Sequence, residues 1–257
     1  MTIINTDQWI LEMDSDPIEI FMKIEHYFPE TTAFDIYQYF IQYGMTPFLE
    51  EKERIILMQE KKIWDIVQQE EHVLQKQWDG PNIPIFIFPS DHLNSQLVME
   101  HNGMSGIAFQ DKLFLFIAEH QTEKEIRSLF THEYSHVCRL KSYPKNQQDY
   151  VLLDTIILEG IAEYAVYERH GLDGLSNWTN RYNKDQLKNM WEQIVLPNKN
   201  IPIHDHKHQH LLYGLHSYPS MLGYCVGFYL VRNYAEARNL SCKELHQMNS
   251  QCIALRE

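Results

Sequence analysis

The stretch His132-Glu133-Tyr134-Ser135-His136 carries most of the information about the fold and chemistry of this chain. Residues four apart on a helix share a face, so His132 and His136 can present two imidazole nitrogens to a single metal ion. Glu133 lies between them, where its carboxylate can accept a proton from a metal-bound water. The H-E-x-x-H spacing on a helix is typical of a zinc metalloprotease with the glutamate as general base.

The residues before and after this stretch predict the helix that the motif needs. Thr122 and Glu125 have the spacing of a capping box, which predicts a helix N-terminus there. Apolar residues then recur at helical period, at Ile126, Leu129, Phe130, Val137 and Leu140. His132 and His136 fall at one margin of this apolar face, and Glu133 falls within it. Because polar groups that face a core are costly unless they are satisfied, a bound metal explains the pattern.

A second helix is predicted between Asp154 and Gly171, with a cationic last turn and a terminal glycine. Glu159 and Glu163 share a face with apolar neighbours, so we expect both carboxylates to point inward or into a cleft. Like charges at this spacing need a cation or separate partners. We interpret Glu159 as the third metal ligand and Glu163 as the acceptor of the distal N–H of a ligating histidine. The alternative is a solvated glutamate pair.

These residues resemble those of known metallopeptidases. His132-Glu133-x-x-His136 followed by Glu159-Gly160-x-Ala162 is similar to the gluzincins, in which a glutamate on a later helix is the third zinc ligand. Their Glu-x-x-x-Asp spacing, whose last residue orients a ligating histidine, has a glutamate here at Glu163. More closely, the chain from about Trp78 onward resembles the YjaZ-like family of zinc-dependent proteases, through both motifs and the run Pro219–Gly227.

The resemblance implies a zincin-like fold and a peptidase activity, and it brings no substrate with it. From the motif residues themselves we expect one zinc ion per chain. Gly160 follows the third ligand directly, and a residue without a side chain there would let the two motif helices approach closely.

Composition restricts the class of protein further. At 257 residues and 44% hydrophobic, the chain can bury a full core. The net charge of −13, with no basic cluster to offset it, argues against general binding of nucleic acid or anionic membranes. No apolar run approaches the ~18 residues of a membrane span, the N-terminus lacks the pattern of a signal peptide, and the four cysteines are scattered. We expect a cytoplasmic enzyme with reduced thiols and a peptide or protein substrate, of undetermined oligomeric state.

The predicted fold class is α+β, mostly helical with a small mixed sheet beside the motif helix. Residues 1–79 are predicted to form a helical N-terminal module, with helical patterns at ~6–28 and ~31–43 and a long helix from about Phe48 to Trp78. Residues 80–257 are predicted to form the zincin-like metallopeptidase domain.

The sheet is predicted from residues 83–88 and from a hairpin that joins 105–109 to 112–118. In gluzincin-like enzymes an edge strand beside the motif helix pairs with an extended substrate. The resemblance therefore implies this role for the segment from Gly106 to Ala118, provided that it is an edge strand.

Two features of the C-terminal third are candidates for further roles. Tyr224 is the preferred donor to the developing oxyanion and His216 the second choice, near the start of a helix predicted from about Ser220; a packed or surface tyrosine is the alternative. The run from His204 to His210 alternates histidine, and in an extended loop all four imidazoles would lie on one side. It could bind a second metal or cover the cleft, or be an exposed loop that binds metal only adventitiously.

The function predicted from the sequence is zinc-dependent peptide-bond hydrolysis. The alternative is a non-hydrolytic zinc protein that binds peptides or regulates a partner. Glu133 favours catalysis, because a scaffold has no need of a carboxylate between the two histidines. A third hypothesis is a helical interaction protein without a metal site. It requires that the H-E-x-x-H motif and the Glu159–Glu163 pair both occur by chance.

Overall fold

The computed structural model describes residues 2–14, 16–95, 97–98 and 102–255. This part of the chain is mostly helical with one small mixed sheet, in agreement with the predicted α+β class. Among these residues, no helix is both long and apolar enough to cross a membrane.

Internal contacts divide the chain into two compact units, Met1–Lys76 with Asn82–Glu133, and Gln77–Pro81 with Tyr134–Glu257. The predicted division into residues 1–79 and 80–257 stays a prediction.

The N-terminal helices are shorter than their sequence patterns predict. They are α1 (Thr6–Glu12), α2 (Ile18–Ile24), α3 (Ala33–Gln42), α4 (Lys52–Glu60) and α5 (Ile63–Trp78), with a 3₁₀ turn at Glu25–Tyr27. The single long helix predicted from Phe48 is wrong, because Lys62 adopts a left-handed backbone (φ 58°) that separates α4 from α5. The pattern at 6–28 also divides, and Pro17 stands immediately before α2. The predicted end at Trp78 is confirmed, and Asp79 follows it with φ 50°.

The sheet belongs to the first unit. Its strands are β1 (Ile85–Pro89), β2 (Ser105–Ala108) and β3 (Leu113–Ile117), in the order β1-β3-β2. β3 pairs in parallel with β1 and antiparallel with β2, so the predicted hairpin is confirmed. β1 and β3 are buried along their whole length. Within the described residues β2 is an edge strand and β3 is central, so the prediction of an edge strand from Gly106 to Ala118 holds for β2 and is wrong for β3.

Eight helices follow the sheet in the described part of the chain, and three of them are long. They are α6 (Glu123–Ser142), α7 (Leu152–His170), α8 (Lys184–Met190), α9 (Leu196–Asn198), α10 (His206–Tyr213), α11 (Leu222–Arg238), α12 (Cys242–Leu245) and α13 (Ser250–Leu255), with 3₁₀ turns at Gln147–Asp149, Leu172–Gly174 and Asn177–Asn180 and a π turn at Trp191–Val195. The predicted capping box starts α6: the Thr122 N–H donates to Glu125 Oε2 (2.9 Å), and the Glu125 N–H donates to Thr122 Oγ1 (3.3 Å). Gly171 ends α7 with φ 71°, as predicted.

Two glycines bring α7 and α11 into backbone contact within the second unit. A Cβ atom on Gly160 would overlap the Gly227 carbonyl group, and one on Gly227 would overlap the Ile156 carbonyl oxygen. No side chain fits between the helices at this crossing, so glycine is required on both sides of it. The sequence pattern predicted that Gly160 would let the two motif helices α6 and α7 approach each other. That prediction is wrong about the partner, because the backbone that lies against Gly160 belongs to α11.

Candidate metal centre

Helix α6 supplies both histidines and the glutamate of the first motif. It is amphipathic, and Phe130, Tyr134 and Val137 are fully buried on its inner side. Glu133 is 9% exposed and His136 is 8% exposed, so both polar side chains lie in largely water-free surroundings. Burial of this kind is favourable only when the polar groups have partners. The predicted position of the motif, on a helix with its glutamate turned inward, agrees with this arrangement.

Helix α7 brings Glu159 to the motif. Its Oε2 atom lies 3.5 Å from Nε2 of His136, and one ligand atom from each of His132, His136 and Glu159 lies within 4.8 Å of the others. Zinc bonds of about 2.0–2.2 Å in a tetrahedral site place neighbouring donor atoms roughly 3.4 Å apart. Two imidazoles and one carboxylate at these separations fit a zinc ion and leave a fourth position for water or substrate.

Glu163 is completely buried one helical turn beyond Glu159. Its Oε1 atom accepts the backbone N–H of Ser176 (2.7 Å), and its Oε2 atom accepts the Ser176 hydroxyl (3.1 Å). Ser176 could not be predicted as this partner, because it lies in the segment after α7 and belongs to no motif. The role of orienting a ligating histidine stays a prediction for Glu163.

Within the second unit, a buried polar cluster connects the C-terminal half of α6 to the C-terminal segment of the chain. Ser135 lies inside the motif, and its Oγ atom is 2.9 Å from Nε2 of His246; the Cys242 sulfur is 3.3 Å from the same nitrogen. One turn further along α6, the buried guanidinium of Arg139 donates to the carbonyl oxygens of Leu245 and His246 (3.2 and 3.0 Å). These bonds fix the C-terminal segment against α6. Sequence reasoning missed them, because nothing local connects residue 135 to residue 246.

The His246 ring gives the free protein a pH-dependent stability. Burial, assisted by the charges of Arg139 and His136, lowers the pKa of His246 from 6.5 to about 3. Between these values the unfolded chain binds the proton that the folded protein excludes, so the contribution of His246 to stability is complete above about pH 6.5 and declines as the pH falls. We expect the unfolding free energy of the metal-free parent to fall more steeply from pH 7 to pH 5 than that of His246→Gln, measured by urea titration. Equal slopes would contradict this assignment.

The two candidate oxyanion donors lie in and just before α11. Tyr224 is buried, and its ring packs edge-on against Trp178 (5.5 Å between centroids) and beside Tyr213 (5.7 Å). His216 is exposed in the segment between α10 and α11, where its ring lies 4.3 Å from that of His210. The predicted helix is confirmed and begins at Leu222. The catalytic role of either residue stays a prediction.

The predicted histidine-rich loop is wrong: most of the run lies in helix α10. Asp205 caps this helix by accepting the Lys207 N–H (2.8 Å), and an aspartate at this position favours a helix over an extended segment. Alternate residues of a helix point to nearly opposite sides, so the four imidazoles do not share one side. His208 is buried, with Nε2 3.0 Å from Oγ1 of Thr155, and burial lowers its pKa.

The edge strand β2 contacts the motif glutamate within the first unit. A Cβ atom on Gly106 would lie 2.6 Å from both Cγ and Cδ of Glu133. This distance is too short for any side chain at position 106. The backbone of β2 therefore lies directly against the Glu133 carboxylate. Glycine at this position allows the contact.

The chain is a mostly helical α+β protein in which two motif histidines and one glutamate from another helix lie together. This arrangement places it in the class of candidate single-metal proteins. The model of the family described as "Predicted Zn-dependent protease (DUF2268)" matches residues 63–254, and the chain belongs to this family. The "Uncharacterized protein YjaZ" of Bacillus subtilis (strain 168) is 42% identical over 184 residues, which cover 72% of this chain and 70% of that protein. The resemblance read from the motifs is thus confirmed. No solved structure matches the chain.

Proposed function

We propose that this chain is a zinc-dependent peptidase of the gluzincin type with a zincin-like fold. The observation that carries the proposal is the group formed by His132, His136 and Glu159, whose ligand atoms lie within 4.8 Å of one another. Glu133 adjoins this group in sequence and is buried on the same helix. The family description, a predicted zinc-dependent protease, supports the same reaction class.

Each residue of the motif has a separate task in this proposal. The zinc ion, when bound by His132, His136 and Glu159, supplies a Lewis acid and lowers the pKa of a water molecule to about 7. Glu133 accepts a proton from that water as it attacks the scissile carbonyl carbon, and it donates the proton to the leaving amine as the peptide bond breaks. The burial of Glu133 supports this role, because charge interactions are stronger where water is excluded.

The substrate is proposed to lie along β2 as an extended peptide. An edge strand offers unpaired backbone groups to another chain, and main-chain pairing gives affinity with little dependence on sequence. The contact between Gly106 and Glu133 supports this arrangement, because a peptide paired with β2 would run beside the proposed general base.

Two supporting roles complete the proposal. Glu163 holds a ligating histidine in one orientation, and its complete burial at the turn after Glu159 is compatible with that task. Tyr224 is the preferred donor to the oxyanion and His216 the second choice.

The proposed function is tested by the joint dependence of zinc content and cleavage on a chelator. We expect the purified protein to hold about one zinc ion at the motif and to cleave members of a mixed peptide library, detected by mass spectrometry. Dialysis against 1,10-phenanthroline should abolish both properties, and added zinc should restore both.

The other outcomes separate the alternatives. Zinc binding without cleavage of any peptide or of unfolded protein would support the non-hydrolytic scaffold. Cleavage that persists in zinc-free protein would contradict the proposed mechanism.

A further inference from the structure

The histidines of α10 take no part in the proposed zinc centre, although two of them have the spacing of a metal pair. His206 and His210 are four residues apart on one helix and so share a face, as His132 and His136 do on α6. His206 is exposed and His210 is half-buried, so this face is accessible to an ion from solution. Two imidazoles one helical turn apart are a chelating pair for late first-row metals.

A third imidazole reaches the same place from the segment that follows. The His216 ring lies 4.3 Å from the His210 ring at an interplanar angle of 72°. His216 has a left-handed backbone (φ 60°), a conformation that residues with a side chain rarely adopt. Left-handed residues of this kind are over-represented at ligand sites.

The segment that carries His216 is held by backbone hydrogen bonds, which fix the position of the His216 backbone relative to α10. The Leu215 N–H donates to the His210 carbonyl oxygen (2.9 Å), and the Met221 N–H donates to the Tyr213 carbonyl oxygen (2.8 Å). Gly214 has φ 70°, and a Cβ atom there would overlap the Pro219 carbonyl oxygen. These contacts keep the backbone of His216 close to the end of α10, where its ring lies beside that of His210.

The charges around the three rings permit a cation to bind. Lys207 is adjacent to His206 in sequence. Its ammonium group donates a hydrogen bond to Asn198 Oδ1 (2.8 Å). Asp205 lies at the N-cap of α10 and adds a negative charge at that end of the helix.

We propose that His206, His210 and His216 form a second metal site that takes Zn²⁺, or a neighbouring ion such as Ni²⁺ or Cu²⁺, independently of the H-E-x-x-H centre. Imidazole is a preferred ligand for these ions. His210 and His216 are already side by side, and the exposed His206 side chain completes the set by changing its rotamer, which surface side chains do within nanoseconds. The ion joins α10 to the segment before α11. If His216 binds this ion, it cannot also donate to the oxyanion, and Tyr224 is then the proposed donor.

The test uses protein in which the motif centre is removed, so that only the second site is observed. In a His132→Ala/His136→Ala background, we expect equilibrium dialysis against micromolar Zn²⁺ to leave about one ion per chain, and zinc to raise the melting temperature. Adding His210→Asn and His216→Asn should weaken zinc binding by more than about tenfold and remove the thermal shift. The matched control is His204→Asn, an exposed histidine of the same run outside the site, which should change neither measurement.

Retention of the ion and the thermal shift by the His210→Asn/His216→Asn protein, or equal losses with His204→Asn, would overturn the proposal and show adventitious binding only. If the background variant does not fold, the same comparison is made with the motif intact, where zinc content should fall from about two ions to about one. Because Glu133 and the peptidase assay are not involved, failure here leaves the proposed function untouched.

Discussion

Replacing Glu133 with glutamine is expected to leave zinc bound and to lower peptide cleavage by at least about a hundredfold, the lower end of what general acid–base catalysis contributes. Glutamine has nearly the same shape as glutamate, so it fits the narrow space beside Gly106. Its amide cannot accept the proton that the mechanism assigns to the carboxylate. Metal content should stay unchanged, because the proposed metal donors are His132, His136 and Glu159.

The measurement pairs initial cleavage rates on a mixed peptide library with elemental analysis of the same samples. Glu53→Gln is a suitable control, since Glu53 is an exposed glutamate of α4. It should keep the rate and zinc content of the parent. If zinc-loaded Glu133→Gln cleaves peptides as fast as the parent, Glu133 is not the base and the proposed mechanism is wrong.

The second large effect is expected on zinc binding when Glu159, the proposed third metal ligand, is replaced. In Glu159→Ala, the carboxylate that lies 3.5 Å from His136 Nε2 is lost, and zinc affinity should fall by more than about tenfold. Cleavage should fall with it at limiting zinc. Elemental analysis after dialysis against buffered micromolar zinc measures the first effect, and rates at increasing zinc concentration measure the second.

Glu168→Gln is the matched control on α7. Glu168 is exposed near the end of the same helix, where its Oε1 atom accepts the Cys242 N–H, and the amide oxygen of glutamine can accept the same bond. The control should bind zinc as the parent does. Unchanged zinc content in Glu159→Ala would remove Glu159 from the metal site.

The correct predictions rest on residues that are close together in the chain. The capping box at Thr122, the glycine end of α7 at Gly171 and the β2–β3 hairpin are each determined by a few neighbouring residues. The pairing of His132 with His136 follows from the helical repeat alone. Glu159 was singled out because its own helix turns a costly carboxylate towards apolar neighbours. Its place near His132 and His136 is found in the structure, and its role as a metal ligand stays a prediction.

The predictions that failed depended on backbone conformation at single residues. The break at Lys62 and the helix at His206–Tyr213 were missed because lysine carries no strong signal for a left-handed backbone and because alternating histidine suggested an extended chain. Two partners were found only in the structure. His246 is 111 residues from Ser135 in the chain, and Ser176 is 13 residues from Glu163 in a segment without a motif.

The glycine crossing of α7 and α11 has a consequence for changing the chemistry of the centre. Even one methyl group at Gly160 or Gly227 would force α7 and α11 apart. Because Glu159 immediately precedes Gly160 on α7, its carboxylate would move as well. A redesign of the proposed site for another metal ion therefore has to keep the distance between α7 and α11. It has to leave Gly160 and Gly227 unchanged while the metal ligands are exchanged.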